Sequence, residues 1–564
     1  MKDLNLVKGY PSTDKVWKKY YTEEALNLKV PEKTIYEYLC DCSRDYMDLV
    51  AITYFKNKIT YRELFENIDT AAGQLTKLGV KQGDIVTMIT SNTPETVYYI
   101  YAINMIGAIS NLEYPTLNED FIYKEIQLTQ SNTVIILDVL YKKFENILKK
   151  VKNVIVVSVS DSMSTLPRII YNAKFKAKND NLSSAKKSDG TAFVKAPYEK
   201  NRTAMIMHSG GTTGIPKGVE LTNENINAIA LQYRNSGLEY IAGETLMHSI
   251  PPFHAFGFSI GIHTPLCAGL NVIGTLKFDE EHVCKMFYKH KPNHFITGGT
   301  FSKAILRDKP ESLDMSYLKT FAIGGSSVLK EDVPVLNEFL AAHRSKSRLL
   351  TGYGMSEFSS AVSNERNDCH KVGSVGVPLP LVNAKVVSVE DGRELKYNEI
   401  GELCFNSPSM MKQYYKNQKA TDDMTEIDSN GVKWLHTGDC GYIDEDGFIF
   451  ITGRLKRIYT TMSNEALFKL FPDYVENTVR EVAGVEDCAV ICVKHPVRKY
   501  VPVLYYITSN SDTAELEARI KEHCLKELPE YAQPYEMYTT DSFPLTTVGK
   551  INYLELEKIH NGDE

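Results

Sequence analysis

The sequence predicts an α/β protein in which a large N-terminal domain of β-sheets flanked by helices precedes a small α+β C-terminal domain. The chain has 564 residues, which is too long for one hydrophobic core. Helical and strand patterns alternate between residues 52 and 137, as in a sheet covered by helices. From about residue 454 the pattern changes to apolar strands and one amphipathic helix. We therefore predict an N-terminal domain at residues 1–453 and a separate C-terminal domain at residues 454–564.

The first elements can be assigned in order. Residues 52–55 are predicted as a strand and Asn57-Lys58 as a turn, after which Thr60 and Glu63 fit a capping box that starts a helix. Gly79 ends this helix. A strand at 85–89, a helix at about 94–105 and a strand at 134–137 follow. The apolar face of the first helix recurs at helical spacing: Tyr61, Leu64, Phe65, Ile68, Ala71, Ala72, Leu75 and Leu78.

In the rest of the chain, turn-forming residues separate the predicted elements. Residues 160–200 contain runs of Asn, Asp, Ser and Gly and are expected to form an irregular surface excursion. Residues 380–452 are strand-rich, with Gly-containing turns near 392, 431 and 447. In the C-terminal domain we predict strands at 489–493 and 503–507 and a helix at 513–528.

Composition and charge exclude several classes of protein. Hydrophobic residues make up 43% of the chain and charged residues 24%, as in ordinary globular domains. The net charge of −7 argues against a general nucleic-acid or membrane-surface binder. A local basic stretch from Lys174 to Lys178 is interpreted as a solvated loop face.

The cysteines and the N-terminus are used to predict the cellular compartment of the protein. Ten cysteines are scattered without a C-x-x-C pair or a zinc-like Cys/His array, so most are expected to be buried thiols in a reducing compartment. The N-terminus lacks the apolar core of a signal peptide, and no uncharged apolar run approaches the ~20 residues of a membrane span. We predict a cytoplasmic protein with no transmembrane segment and no nucleic-acid partner.

The most informative segment is residues 208–218, HSGGTTGIPKG, with four glycines, three hydroxyls and one lysine. Glycine lets the backbone turn its N–H groups toward one point, and such a concavity binds anions. The hydroxyls add donors, and Lys217 adds a positive charge. An apolar run, residues 203–207, precedes the segment. We therefore predict a phosphate-binding loop.

This loop differs from a P-loop, in which the lysine directly follows a glycine and a helix begins there. Here Pro216 precedes Lys217, and residues 219–221 are predicted as a short strand. A helix pattern begins only near Thr222 or Asn223. The loop is therefore expected to join two strands, which argues against a P-loop NTPase.

Four shorter motifs could also take part in the chemistry, although alone they are weak signals: residues 353–357 are more typical of a turn with an exposed glutamate, Asp439 is as typical of a turn, and Lys550 is usually a solvated lysine. Residues 353–357, YGMSE, combine a ring, a tight turn, a hydroxyl and a carboxylate, which together could stack a base, touch a phosphate and hold a metal. Asp439 ends a predicted strand and could accept both hydroxyls of a ribose. Residues 453–457 form a basic turn at the predicted domain junction. Lys550 stands on a glycine turn near the end of the chain.

The order and spacing of these motifs resemble the adenylate-forming superfamily of acyl-CoA synthetases, luciferases and peptide-synthetase adenylation domains. The resemblance runs from about Ile52 to Lys550. It implies an AMP-forming acid–thiol ligase that uses ATP and Mg²⁺. Such an enzyme converts a fatty or aryl carboxylic acid to an acyl-AMP with release of pyrophosphate, and then transfers the acyl group to CoA. The resemblance also implies that the C-terminal domain rotates about a hinge at Lys456.

The resemblance implies a role for each matching residue. Glu357 would hold Mg²⁺, and Ser356 would lie beside the α-phosphate. Lys550 would reach both the carboxylate and the α-phosphate during adenylation, and with Lys217 these residues form the predicted catalytic set. The ribose would contact Asp439 and Arg454. The β- and γ-phosphates would be held by Ser209, Gly210, Gly211, Thr212, Thr213, Gly214 and Lys217, and the adenine by Gly324, Gly325, Ser326 and Tyr353.

Residues 251–258, PPFHAFGF, resemble the aromatic segment beside the acyl pocket of acyl- and aryl-CoA synthetases. His254, Phe256 and Gly257 are therefore predicted to line the substrate pocket. His254 could be a gate or a satisfied core histidine, and its family position favours the gate. Amino-acid-activating relatives usually carry an aspartate here, because a desolvated ammonium needs a partner. None lies between residues 250 and 262, so we predict an acid without an α-amino group.

Two departures from the family concern the thiol acceptor. Residues 458–472, after the hinge, lack the glycine that usually lines the pantetheine channel, and Gln413-Tyr414 replaces the usual Gly-Tyr. CoA remains the predicted acceptor, with a phosphopantetheine-bearing carrier protein as the alternative. A second alternative is a non-catalytic nucleotide-binding relative. It is disfavoured because the chain retains Lys217, Glu357, Asp439, Arg454 and Lys550.

Overall fold

The structure is a computed structural model of the chain. It describes residues 9–175, 192–209, 216–276, 283–299, 304–306, 313–325, 328, 332–463, 466–509, 512–546 and 551–562. Within these ranges the chain forms three sheets in its N-terminal part, followed by a β-hairpin and a three-stranded sheet.

A seven-stranded sheet carries the predicted phosphate loop at one side. Five adjacent strands, from β7 (Thr203–His208) to the edge of the sheet, are parallel. β8 (Gly218–Thr222) runs antiparallel to β7 on one side and to the short strand Gln413–Tyr414 on the other. Because β7 and β8 are neighbours, the loop joins two adjacent strands, as predicted. The order across the sheet is β18 (Gln413–Tyr414), β8 (Gly218–Thr222), β7 (Thr203–His208), β4 (Ile109–Leu112), β3 (Ile85–Ile89), β5 (Thr133–Leu137) and β6 (Asn153–Val157).

A nine-stranded sheet supplies two further predicted motifs. Six of its strands are parallel, so the segments that follow β12 (Thr320–Ile323) and β13 (Leu349–Tyr353) emerge at the same edge, where ligands bind in α/β sheets. The order is β15 (Val377–Pro378), β14 (Ser363–Asn364), β13 (Leu349–Tyr353), β12 (Thr320–Ile323), β11 (His294–Thr297), β9 (Thr245–His248), β10 (Asn271–Gly274), β1 (Val50–Tyr54) and β2 (Asn57–Thr60).

A five-stranded antiparallel sheet forms the third unit of the N-terminal part. Its long strand pairs with three neighbours, and its register places Asp439 opposite Arg454. The strands are β16 (Asn383–Val387), β17 (Gly401–Asn406), β19 (Thr425–Ile427), β20 (Lys433–Ile443) and β21 (Ile449–Arg454).

The helices of this part begin at the polar caps that favour helix starts. Thr34, Thr60 and Thr222 each form a complete capping box. The helix Pro94–Met105 has all of its residues buried, which explains its almost entirely apolar surface. The α-helices are Pro11–Asp14, Glu23–Leu26, Ile35–Ser43, Tyr61–Lys77, Pro94–Met105, Glu119–Thr129, Asp138–Tyr141, Glu145–Leu148, Thr165–Phe175, Asn223–Arg234, Thr264–Cys267, Val283–His290, Asp332–Ala342 and Gln418–Met424.

The C-terminal part has a hydrophobic core of its own. Leu470, Val479, Val490, Leu504 and Ile520 are buried together in it. Its strands are β22 (Tyr459–Ser463), β23 (Ala466–Leu470), β24 (Asp487–His495), β25 (Lys499–Ile507) and β26 (Glu536–Thr539), and its helices are Pro472–Arg480, Thr513–Glu527 and Tyr553–Asn561.

The predicted fold class is confirmed, one local prediction is wrong, and one helix was not predicted. Asn57-Lys58 is not a turn: it belongs to β2, and Phe55 and Lys56, both at positive φ, make the turn. Residues 160–200 are not wholly irregular, because Thr165–Phe175 is a helix. Pro167, which suggests a break, lies in its first turn, where a missing N–H costs nothing. The boundary between residues 453 and 454 stays a prediction.

Candidate active site

The two ends of the predicted phosphate loop are joined to each other. The Ser209 backbone N–H donates to the Lys217 carbonyl at 2.9 Å, and the Lys217 N–H donates to Ser209 Oγ at 3.1 Å. These bonds continue the β7–β8 ladder and fix where the loop leaves and re-enters the sheet. Gly210, Gly211, Thr212, Thr213 and Gly214 lie outside the described residues.

Lys217, Tyr414 and Glu357 meet at one point. Lys217 Nζ lies 4.7 Å from the centroid of the Tyr414 ring, a cation–π distance. The Tyr414 hydroxyl donates to Glu357 Oε1 at 2.6 Å. Glu357 is buried, and burial raises its pKa, while the bond from Tyr414 and the charges of Lys217 and Arg454 oppose the rise. Ser356 begins the short turn that contains Glu357.

A second group surrounds Asp439. Its Oδ1 is 2.8 Å from Arg454 Nε, and its Oδ2 accepts a short hydrogen bond from the Tyr353 hydroxyl. Burial, together with the negative charge of Asp439, raises the pKa of Tyr353, so the phenol stays protonated as a donor. Asp439 is almost fully buried, and its position across the ladder from Arg454 holds the pair in register.

The backbone before Asp439 is held by residues that the sequence motifs did not reveal. Gly438 has φ of 72°, a conformation that favours glycine, and its N–H donates to Glu402 Oε1 at 2.9 Å. The other oxygen of Glu402 is 2.8 Å from His436 Nδ1. Hydrogen bonding to Glu402 raises the pKa of His436. In the sequence, the feature that could have pointed to this contact is His436, three residues before Asp439.

The predicted adenine and acyl segments contact each other. A Cβ placed on Gly324 would come within 2.9 Å of the Phe256 ring, and one on Gly257 would come within 2.0 Å of the Pro251 carbonyl oxygen. Both glycines are therefore required by close approach rather than by flexibility. Gly325 has φ of 79°. Ser326 is not among the residues the structure describes.

His254 is linked to the residue that precedes the phosphate loop. The Tyr114 hydroxyl donates to the His208 carbonyl at 3.0 Å and lies 3.3 Å from His254 Nδ1. The Tyr114 ring also contacts Phe253 edge-on. Tyr114 therefore links His254 to His208, and the role of His254 as a gate stays a prediction.

A buried ion pair that the sequence motifs missed lies at the base of the loop. His208 Nε2 is 3.0 Å from Glu113 Oε1, and both side chains are fully buried. Burial by itself lowers the pKa of His208, but Glu113 and Glu125 raise it above its ordinary value. Leu112 pairs with Met207, so Glu113 and His208 end adjacent parallel strands. The sequence feature that could have revealed this pair is an ionisable residue at the end of each of the two apolar strands.

The predicted hinge lies in a turn beside the C-terminal part. Lys456 is the middle residue of the short turn Leu455–Arg457. The Arg454 N–H donates to Asp473 Oδ2 at 2.9 Å, and Arg457 Nη2 is 2.7 Å from Glu476 Oε1. Lys550 falls in a segment, 547–550, that the structure does not describe. No helix among the described residues is long and apolar enough to cross a membrane.

Two family models match the chain. The model of the AMP-binding enzyme matches residues 41–415, and the model of the AMP-binding enzyme C-terminal domain matches residues 474–550. The first covers more than half of the sequence by itself. This chain belongs to the AMP-binding enzyme family. The break between the two matches falls between residues 415 and 474.

Individual relatives agree with this assignment. The long-chain-fatty-acid–CoA ligase of Bacillus subtilis is 28% identical over 93% of this chain and 94% of its own length. The probable 4-coumarate–CoA ligase 1 of Dictyostelium discoideum is 30% identical over 78% of this chain and 80% of its own length. The solved structure of ATP-bound MatB from Rhodopseudomonas palustris has a TM-score of 0.80 at 23% identity and covers 94% of this chain and 99% of that one.

These matches confirm the predicted superfamily, the two-part α/β fold and the class of AMP-forming acid–thiol ligase. They do not test the role of any single residue. The roles of the residues described above therefore stay predictions.

Proposed function

We propose that this enzyme activates a carboxylic acid with ATP to give an acyl-AMP and pyrophosphate, and then transfers the acyl group to the thiol of CoA. The observation that carries the proposal is the meeting of Lys217, Tyr414 and Glu357 at the mouth of the phosphate loop, within electrostatic reach of Arg454. The names of the two relatives, both CoA ligases, support the acceptor.

ATP would bind with its phosphates at the loop and its ribose at Asp439. Lys217 would neutralise the β- and γ-phosphates, and Ser356 would lie beside the α-phosphate. Asp439 would accept hydrogen bonds from the ribose hydroxyls, with Arg454 holding the carboxylate in place. Preorganised charges of this kind supply most of the catalysis in nucleotidyl transfer, because two anions must be brought together.

Glu357 fits the coordination of a Mg²⁺ ion. Mg²⁺ is bound through one or two carboxylates together with substrate phosphates. The Glu357 carboxylate is buried, its pKa is raised by burial, and the ion pairs found among the described residues do not include it. A divalent cation would offset that buried charge, and when bound it would neutralise charge on the phosphates.

The second half-reaction requires Lys550 to leave once the acyl-AMP has formed. We propose that residues 454–564 rotate about Lys456, so that one site runs both steps. Lys456 stands in a turn immediately after β21, the strand that contains Arg454. This proposal includes the domain boundary between residues 453 and 454.

The acid would lie in a pocket beside His254, Phe256 and Gly257. These residues belong to an apolar segment in which the Phe256 ring abuts Gly324. The segment offers no carboxylate to pair an α-ammonium, so an acid without an α-amino group is favoured. The relatives are named for a long-chain fatty acid and for 4-coumarate, which keeps both aliphatic and aryl acids as candidates.

A carrier protein is the second candidate for the acceptor. The observation that favours it is the hairpin of β22 and β23, which carries no glycine where the family lines its pantetheine channel. Phe468 of this hairpin stacks on Tyr531 at 4.5 Å. The phosphopantetheine arm of a carrier protein has the same reactive thiol as CoA.

The test is acid-dependent exchange of pyrophosphate into ATP, with mass-spectrometric detection of the acyl-AMP from a mixed acid library. The acid that reacts is then offered free CoA or a phosphopantetheinylated carrier protein. Asp439→Asn should lower kcat/KM for ATP by about 10- to 100-fold, because it weakens hydrogen bonds to a charged group. Asp446→Asn, on a nearby exposed turn, is the matched control. Binding of ATP without exchange for any acid would overturn the proposal in favour of the non-catalytic alternative.

A further inference from the structure

The helix Thr165–Phe175 presents an apolar stripe to solvent. Leu166, Ile169 and Ile170 are 69%, 58% and 60% exposed, and Ala173 is exposed beside them. Their spacing of three, four and seven residues places them on one face. No other helix in the described part of the chain exposes three large apolar side chains. Such a contiguous stripe marks a surface that meets a partner.

Polar contacts, rather than the apolar stripe, hold this helix to the protein. The Tyr171 hydroxyl donates to Asp138 Oδ1 at 3.1 Å, and Asn172 Oδ1 accepts from Ser160 Oγ at 3.0 Å. Just before the helix, Ser164 Oγ donates to the Phe55 carbonyl at 2.7 Å. Tyr171 and Asn172 therefore face inward while the apolar stripe faces solvent, which is the reverse of an ordinary surface helix.

Charge decides which partner fits the stripe. Between Asp161 and Asp180 the sequence has no acidic residue and has four basic ones, two of them within the helix: Arg168, Lys174, Lys176 and Lys178. This run is positive in a chain whose net charge is −7. An apolar stripe with neighbouring cations is the composition of helices that lie in the surface of an anionic bilayer.

We propose that the helix Thr165–Phe175 docks this enzyme on an anionic membrane surface, with Leu166, Ile169 and Ile170 inserted among the lipid chains and Arg168 near the headgroups. The helix would lie on the bilayer without crossing it. The basic stretch from Lys174 to Lys178, interpreted from composition as a solvated loop face, begins in the last turn of this helix, and Lys176 to Lys178 lie outside the described residues.

Vesicle flotation of the full chain tests the proposal. Wild-type protein should bind vesicles of phosphatidylcholine with phosphatidylserine, bind pure phosphatidylcholine vesicles more weakly, and lose binding as salt is raised. The triple variant Leu166→Ser, Ile169→Ser, Ile170→Ser should lose at least tenfold in partitioning. The matched control Leu554→Ser, Ile559→Ser changes two exposed apolar residues on the last helix and should bind normally.

The electrostatic part has its own variant. Arg168→Gln with Lys174→Gln should weaken binding to the anionic vesicles by roughly fivefold per cation removed and leave binding to neutral vesicles unchanged. Lys285→Gln with Lys289→Gln, at two exposed positions on the helix Val283–His290, should have no effect. Equal losses for the two double variants would contradict the proposal.

Ile169→Trp reports insertion directly. Both native tryptophans, Trp17 and Trp434, are buried, so the new indole should dominate any change in emission on adding vesicles. A blue shift with anionic vesicles supports insertion. No shift, or a lipid-independent dimer that the triple serine variant abolishes in sedimentation velocity, would overturn the proposal in favour of a protein contact. Glu357→Gln should bind vesicles like wild type, so this proposal and the proposed function can fail separately.

Discussion

At the scale of single residues, the ion pair of His208 and Glu113 constrains the strand end that precedes the predicted phosphate loop. The two charges lie 3.0 Å apart with no exposure to solvent, and Asn111 contacts both partners. Breaking such a buried pair leaves one charge uncompensated and typically costs about 3–5 kcal/mol. The pair therefore constrains the end of β7, from which the loop emerges.

His208→Asn is expected to destabilise the protein in a pH-dependent way. The pKa of His208 is raised in the folded state, so the pair's contribution to stability is fully present below about pH 6.5 and is lost as the pH rises through the raised pKa. The variant should lose about 3 kcal/mol at pH 6 and less at pH 9. Unfolding midpoints of both proteins at the two pH values measure this difference.

The control for this prediction is His523→Asn. His523 pairs with Glu481 at 3.2 Å on the surface, where an ion pair contributes little. It should leave the unfolding midpoint nearly unchanged at both pH values. Equal destabilisation by His208→Asn at pH 6 and pH 9 would show that the pair is not charged.

Lys550→Ala should separate the two half-reactions. Formation of the acyl-AMP should fall by about 10²–10³-fold or more, because one charge that neutralises the two anions is lost. Thioester synthesis from supplied acyl-AMP should survive. Lys558→Ala, an exposed lysine on the last helix, is the control, and stopped-flow assays of each half-reaction are the measurement. Loss of both half-reactions to the same extent would refute the role of Lys550.

The candidate site residues could be selected from the sequence, while their contacts could not. Lys217, Glu357, Asp439 and Arg454 were selected because each stands in a short motif, and their roles stay predictions. Tyr414, which joins Lys217 to Glu357, was noted only for the Gln-Tyr replacement. Its ring reaches Glu357 because β18 pairs with β8, a contact between segments almost 200 residues apart. No local pattern encodes such a pairing.

At the scale of elements, the turn at Gly438 determines where Asp439 points. Gly438 is at positive φ, and no atom lies within 4 Å of the position that a Cβ would take. A substitution there is therefore strained by its backbone alone and not by a clash. The neighbouring Asp439 N–H donates to Thr437 Oγ1 at 3.0 Å, which ties the carboxylate to the same turn.

Gly438→Ala should raise KM for ATP about fivefold, because about 1 kcal/mol of left-handed strain displaces Asp439. Gly438→Asn should restore part of the loss, since asparagine tolerates this conformation better. Gly431→Ala is the matched control: Gly431 has φ of 77° on an open turn. It should affect stability alone. Steady-state kinetics with varied ATP measure the effect, and an unchanged KM in Gly438→Ala would contradict the ribose role of Asp439.

Helices and strands were predicted correctly where the apolar periodicity and the capping residues indicated the same element. The helix Tyr61–Lys77 begins at the predicted capping box, and Pro94–Met105 was predicted at the same bounds. The helix Thr165–Phe175 was missed, because its apolar face points outward and its proline resembles a break. Prediction from apolar periodicity relies on the apolar face of a helix being buried, whereas this helix exposes its apolar face to solvent.

At the scale of the whole molecule, the segment Leu455–Arg457 connects two units that each have a core. Lys456→Pro should restrict rotation there, because proline fixes φ near −65°. Acyl-AMP formation should continue, while thioester formation slows by tenfold or more. Lys456→Ala should leave both steps close to wild type. Single-turnover assays of the two steps provide the measurement, and parallel changes in both would argue against a hinge at Lys456.

The sequence by itself determined the superfamily, the two-part α/β plan and the class of AMP-forming acid–thiol ligase. It could do so because motifs and helical periods are short-range properties of the chain. Only the tertiary structure decided that Glu113 faces His208, that Tyr414 bridges Lys217 and Glu357, and that the helix Thr165–Phe175 turns its apolar side outward. Sheet pairing and burial set these contacts, and both depend on residues far away in the sequence.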